Sequence, residues 1–227
     1  MKIHAVIHAP AEGLGSIADW ARSRGHTVRE THLYRGETLP PIAEVDFAVM
    51  MGGAMNIYQH RDFPWLVTEK RWIAEAIGQR KRVLGVCLGA QLIADVLGGK
   101  VVQNPEREIG WFQVRMLTRS APFAAFPGRL HAFHWHGDTF ELPPGAVRIA
   151  RSEGCANQGF VVGDRVVGLQ FHLEVTPESV GGFIAGAEEE IGSGRFVQSA
   201  ETIRRGLPDF DSAALASMLD ALASPAD

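Results

Sequence analysis

Apolar residues recur along this chain in two alternating rhythms. Short apolar runs read as strands at Lys2 to His8, His26 to Leu33, Val45 to Met51, Lys81 to Val86 and Val166 to Phe171. Between them, Leu14 to Arg24, Phe63 to Gln79 and Gly89 to Leu97 carry apolar residues at helical spacing. Leu14, Ile17, Ala18 and Ala21 share one face of the first, and Leu92, Ile93, Val96 and Leu97 make the third apolar. Strands separated by helices predict an α/β fold, with a mainly parallel central sheet covered by helices on both faces and ligands at the C-terminal strand ends.

Between Gly110 and Val167 the rhythm changes to closely spaced strands with no helix between them: Gly110 to Leu117, Leu130 to Trp135, Val147 to Ser152 and Gly159 to Val162. That spacing predicts a small antiparallel β ribbon. Thr176-Pro177-Glu178 then supplies an N-cap and a proline at the first helical position, opening a helix that runs to about Ile191 and stops at Gly192-Ser193-Gly194. Leu215, Met218, Leu219 and Leu222 mark a last amphipathic helix, expected to pack on its own domain. The chain is expected to divide into one main domain, residues 1–192, and a C-terminal helical extension, residues 193–227.

Composition narrows the classes. A chain of 227 residues with 46% hydrophobic content can bury one substantial core. Cys87 and Cys155 are the only cysteines, too few for a disulfide framework and consistent with a reducing cytosol. No apolar run has the length of a signal peptide or a membrane span, so a cytoplasmic protein with no membrane partner is expected. A net charge of −4 gives no electrostatic footprint for nucleic acid, and Arg80-Lys81-Arg82 reads as a solvated helix end.

The candidate chemistry lies in Gly85-Val86-Cys87-Leu88-Gly89-Ala90-Gln91 and in Phe171-His172-Leu173-Glu174. Cys87 falls at a strand-to-helix turn, where flanking glycines let the backbones cross closely and the helix N-terminus favours an anion. His172 and Glu174 are two apart; on a strand they would share a face, so the carboxylate could hold the imidazole in one tautomer. A lone cysteine after an apolar strand is usually a packed core residue, and a lone His-x-Glu usually an exposed strand end. Together they point to a nucleophile, a base and the acid that orients it.

These segments resemble the class I (triad-type) glutamine amidotransferases, and most closely the branch containing the amidotransferase domain of GMP synthetase. The resemblance spans roughly Lys2 to Ile191 and adds Met51-Gly52-Gly53, Glu108-Ile109-Gly110-Trp111 and His136-Gly137-Asp138 to the two segments above. It implies a flavodoxin-like fold, with Cys87, His172 and Glu174 as the triad. It also implies that Cys87 attacks the side-chain amide of glutamine, giving a thioester and ammonia. Gly53 and Leu88 would supply the oxyanion hole, and Gly52, Gln91, His136 and Asp138 would contact substrate. Trp135 departs from the small residue that synthetase members tend to carry before His-Gly-Asp. Too little chain follows Glu174 for a synthetase domain, so either a separate acceptor subunit receives the ammonia, or the chain is an autonomous γ-glutamyl peptidase or hydrolase, or, less favoured, a non-catalytic binding module. No cofactor is expected.

Three look-alikes carry less. Gly13-Leu14-Gly15-Ser16-Ile17-Ala18 follows a strand and opens a helix, imitating a dinucleotide fingerprint that accounts for neither Cys87 nor His172. Gly98-Gly99-Lys100-Val101 lacks the first glycine and the Ser or Thr of a phosphate loop. His131, His134, His136 and Asp138 are dense in nitrogen and oxygen but lack tetrahedral ligand spacing, so no metal is expected, and Cys155 reads as a packed thiol. A thiol variant of the α/β-hydrolases is disfavoured because there the acid precedes the histidine along the chain.

Overall fold

The computed structural model describes residues 1–206 and 212–224; residues 207–211 and 225–227, parts of the expected C-terminal extension, lie outside the described residues. Nine strands form one continuous sheet in the order β2-β1-β3-β4-β9-β8-β7-β5-β6. β1 (Lys2–Ile7), β2 (Thr27–His32), β3 (Phe47–Met50), β4 (Arg82–Val86) and β9 (Val166–Leu169) pair in parallel. β5 (Val101–Met116), β6 (Arg129–Phe140), β7 (Val147–Arg151) and β8 (Gly159–Val162) continue that sheet antiparallel. The parallel core is as expected, but the antiparallel part is no small ribbon. β5 begins at Val101 because the chain runs through Pro105 with a register shift between Gln103 and Glu108. A proline and charged residues there conceal the strand, since a bulge tolerates what a regular ladder does not.

Helices cover both faces. Ile3, Ala5 and Ile7 of β1 pack with Ile17, Trp20 and Ala21 of α1 (Ser16–Ser23) and with Leu215, Met218, Leu219 and Leu222 of α6 (Ser212–Ala223). Asp220 fastens α6 to α1 by accepting from Trp20 Nε1 at 2.8 Å and from the Arg24 guanidinium. Val6, Ala48 and Met50 face the other way, onto α2 (Trp65–Gly78) and α3 (Leu88–Val96). Alternation along each buried strand thus sends successive residues to opposite helical layers.

α4 (Pro177–Gly186) and α5 (Ala200–Arg205) cover Ile109, Trp111, Phe133 and Trp135 of the antiparallel part. Thr176 caps α4 through a reciprocal box with Ser179. The helix ends at Gly186 rather than near Ile191, and Glu188–Glu190 form only a 3-10 turn. Three glycines within α4 and three successive carboxylates beyond it favour that early stop.

Candidate active site

The site is assembled where β1, β3, β4 and β9 end. Cys87 follows β4 directly and is the N-cap of α3, with φ 51° and ψ −108°. A non-glycine residue in that left-handed region is held by its surroundings at a cost of about 1–3 kcal/mol. The surroundings are tight: a Cβ on Gly85 would lie 2.4 Å from the Gly89 backbone, and one on Gly89 would lie 2.1 Å from Met50 O. Glycine at both positions is what lets the strand, the turn and the helix cross.

His172 lies off the regular strand. β9 ends at Leu169, and the chain then bends, rejoining β6 through a single bridge between His172 and Phe133. The strand geometry expected for His172 and Glu174 is therefore absent, yet the two side chains meet, with His172 Nδ1 2.6 Å from Glu174 Oε1. The bend allows Glu174 Oε2 to accept from the Leu173 N–H at 3.0 Å as well, so the carboxylate is fixed at both oxygens. From the opposite side, the Ser16 N–H donates to Glu174 O at 2.8 Å. Gly15, with φ 49°, permits this approach, since a Cβ there would sit 2.0 Å from that oxygen. Gly15, within the segment that imitates a dinucleotide turn, thus seats the first helix against the segment carrying His172 and Glu174.

Electrostatics favour a charged ring. Burial alone would lower the His172 pKa, but the Glu174 charge and the neighbouring Cys87 sulfur hold it well above its ordinary value. His172 Nε2 completes no hydrogen bond. Cys87 Sγ instead accepts from Gln170 Nε2 at 3.6 Å and lies 3.7 Å from Trp135 O. Phe183 packs edge-on against the imidazole at 5.3 Å between ring centroids, shielding it from solvent.

Cys87 opens into a cavity of about 600 Å³ lined by Glu12, Gly53, Leu88, Trp135, Asp138 and Phe183 among others. Gly53 packs against Leu88, and a Cβ on Gly53 would lie 2.8 Å from the Leu88 side chain. Gly52 is crowded by Glu12 and by His172 Cε1, leaving no room for a side chain. Gln91 donates to Gln170 Oε1 at 3.2 Å and to Asp138 O at 3.4 Å, so it braces the two segments flanking the sulfur. Asp138 Oδ2 accepts from Asn56 Nδ2 at 2.6 Å, and burial raises its carboxyl pKa against the opposing His136 charge. His136 Nδ1 lies 3.0 Å from Asp138 O, while Nε2 lies 3.2 Å from Glu108 Oε2 without completing a hydrogen bond.

Glu108, His134 and His136 converge, one donor atom from each lying within 4.8 Å of the others. Gln158 Nε2 donates to Glu108 Oε2 at 2.5 Å and reaches His134 Nδ1 at 3.4 Å. Burial pushes the His134 pKa down to about 3, so its ring is neutral there. His131 is exposed on β6, outside that trio. Cys155 is buried, with Sγ 3.3 Å from Thr139 Oγ1, and burial pushes its thiol pKa up.

Sequence reasoning misses Glu12, Asn56 and Gln170. Only Gln170 leaves a signal, as a polar residue interrupting the apolar run from Val166 to Phe171.

The chain is similar to known proteins along most of its length. The family described as glutamine amidotransferase class-I matches residues 16–185. The glutamine amidotransferase-like protein YfeJ of Salmonella typhimurium is 36% identical over 214 residues, covering 90% of each chain. GMP synthase [glutamine-hydrolyzing] of Thermomicrobium roseum is 36% identical over 137 residues, 60% of this chain but only 24% of that longer protein. The crystal structure of a glutamine amidotransferase from Thermotoga maritima superposes with a TM-score of 0.87 at 35% identity, covering 99% of both chains.

Proposed function

The chain belongs to the class-I glutamine amidotransferases, and from that premise we propose that it hydrolyses the side-chain amide of glutamine through a thioester on Cys87, releasing ammonia to an acceptor on a separate partner. His172, charged before the attack, already holds the thiol proton, and Cys87 attacks the γ-carbonyl. The imidazolium then gives that proton to the departing ammonia, and the neutral ring activates the water that releases glutamate. Glu174 keeps the ring in the tautomer that presents Nε2. The N–H groups of Gly53 and Leu88 receive the negative charge of the tetrahedral intermediate, each donor contributing about 10²–10³ in rate. Asp138 accepts from the substrate's α-ammonium, with Asn56, Gln91 and His136 fixing its place; Gly52, which does not line the cavity, acts only by making room for Glu12 and His172.

The observation that carries this reading is the His172 ring itself. Nδ1 is locked to Glu174 at 2.6 Å, while Nε2 is unengaged beside the only cysteine that faces the cavity. Incubating the protein with glutamine and measuring ammonia and glutamate, alone and with candidate acceptor subunits added, tests it. Turnover of neither glutamine nor any γ-glutamyl compound would overturn it.

A second reading, an autonomous γ-glutamyl peptidase or hydrolase, is favoured by the cavity's breadth. About 600 Å³ is within the range of drug-sized ligand sites, more than free glutamine requires. Trp135, Phe183 and Ala187 give it an apolar flank that an ammonia leaving group does not use. Faster release from γ-glutamyl peptides than from glutamine would select it. Both readings place the protein in the cytosol; among the described residues, no helix is long and apolar enough to cross a membrane.

A further inference from the structure

His8 takes no part in the chemistry above, although it is a fully buried ionisable side chain at the end of β1. Its ring is surrounded by acceptors. Nδ1 lies 3.0 Å from both Met51 O and Gly52 O, and Nε2 lies 2.9 Å from Glu69 Oε1 on α2. Three oxygen acceptors around two ring nitrogens require an N–H on each nitrogen, and the Glu69 carboxylate balances the charge. Trp65 stacks on the ring at 5.4 Å and completes its enclosure.

We infer that His8 is a positioning residue of the oxyanion hole, clamping with Glu69 the Met51-Gly52-Gly53 backbone so that the Gly53 N–H is held toward the attacked carbonyl. The inference rests on the hydrolytic reading above. A peptide unit is planar and trans, so tying Gly52 O to the His8 ring turns the Gly53 N–H of the same unit in the opposite direction. Gly53 lines the cavity, whereas His8 does not. Met51 O also accepts from the Gly89 N–H at 3.2 Å, which ties the segment to the helix that Cys87 caps. Gly53 rests directly on the clamp, since a Cβ there would lie 2.8 Å from His8 Cβ. Burial opposes charging the ring, but the Glu69 carboxylate, the Gly52 carbonyl and Glu12 raise its pKa nevertheless. A donor beyond the end of both strands receives no alignment from the sheet, so the clamp supplies the fixed geometry that oxyanion stabilisation needs.

Iodoacetamide and glutamine separate this role from general support of the fold. Alkylation of Cys87 by iodoacetamide is a displacement that forms no oxyanion, whereas acylation by glutamine passes through one. His8→Gln is expected to lower the acylation rate about 10²–10³-fold, with KM changed little and alkylation within about twofold of wild type. Glu69→Gln keeps the ring and the side-chain volume and should show the same division at about tenfold, which covers a His8→Gln chain that fails to fold. Acylation at the wild-type rate in either folded variant, or acylation and alkylation falling together, would overturn the assignment. A wild-type protein that forms no thioester removes the hydrolytic reading itself; a normal wild-type burst with unaltered variants removes only the role of His8.

Discussion

Cys87 belongs to a continuous strand, turn and helix defined by its sequence neighbours, whereas His172 lies beyond the end of β9 and owes its place to β6, α1 and α4. The cysteine is held by backbone strain and close-packed glycines, and the histidine by hydrogen bonds and aromatic walls. A nucleophile must project at a fixed angle, which a crowded turn enforces. A base that moves protons between a thiol, a leaving group and water needs its far nitrogen anchored and its near nitrogen free. Each kind of support fits its task, so damage to each should look different.

The largest effects come from the reactive groups. Cys87→Ser should lower turnover by about 10⁴-fold or more while leaving thermal unfolding unchanged, because a hydroxyl is a poor nucleophile beside a base matched to a thiol. An electrophilic glutamine analogue should label Cys87 and spare Cys155, whose thiol is buried away from the cavity and raised in pKa; mass mapping of the adduct reads this. Glu174→Gln should lower turnover about 10²–10⁴-fold by losing the ring's anchor, yet leave Cys87 open to alkylation. His172→Ala, in contrast, should impair both formation and hydrolysis of the thioester, and rapid mixing resolves the two steps. A Glu174→Gln protein with wild-type kinetics would mean that the 2.6 Å contact has no role.

Smaller changes test the scaffolds separately. Gly89→Ala would push a Cβ into Met50 O, and Gly15→Ala would push one into Glu174 O. Each should cost roughly 1–3 kcal/mol in unfolding free energy. Gly89→Ala should slow Cys87 alkylation, whereas Gly15→Ala should slow turnover through the base and leave alkylation nearer to normal. Equal effects on both readouts would erase the distinction drawn here.

The effect spread most gradually over conditions concerns His134. Its folded pKa is about 3, against an ordinary 6.5, so between those values the unfolded chain binds a proton that the folded chain refuses. Stability from this group is present above pH 6.5 and declines by about 1.4 kcal/mol per unit as pH falls toward 3. Denaturant unfolding at a series of pH values should show that slope in wild type, and His134→Gln should lack its share.

The parallel core was readable because each buried strand and its helix carry their periodicity within a short window. The Cys87 turn was readable for the same reason, its glycines and its cysteine being adjacent in sequence. The pairing of His172 with Glu174 followed from their spacing, although the geometry assumed for it was wrong: a bend, not strand alternation, brings them together. Glu12 and Asn56 stayed hidden because segments far apart in sequence bring them to the cavity, and Gln170 because its reach to Cys87 Sγ depends on how β9 and β4 end side by side. Pro105 and its charged neighbours masked half of β5, where a register shift overrides local preference.

The contact between Gly15-Ser16 and Leu173-Glu174 also sets an order of assembly. Its partners stand 157 residues apart in the case of Ser16 and Leu173. On an elongating chain, the segment around Cys87 is made long before Glu174, and until then the Ser16 amide at the start of the first helix lacks its acceptor. Only when Glu174 arrives does that helix end receive its acceptor and the imidazole its fixed place. A thiol that exists early is thereby armed late, once the beginning of the chain has met the segment that follows its last strand.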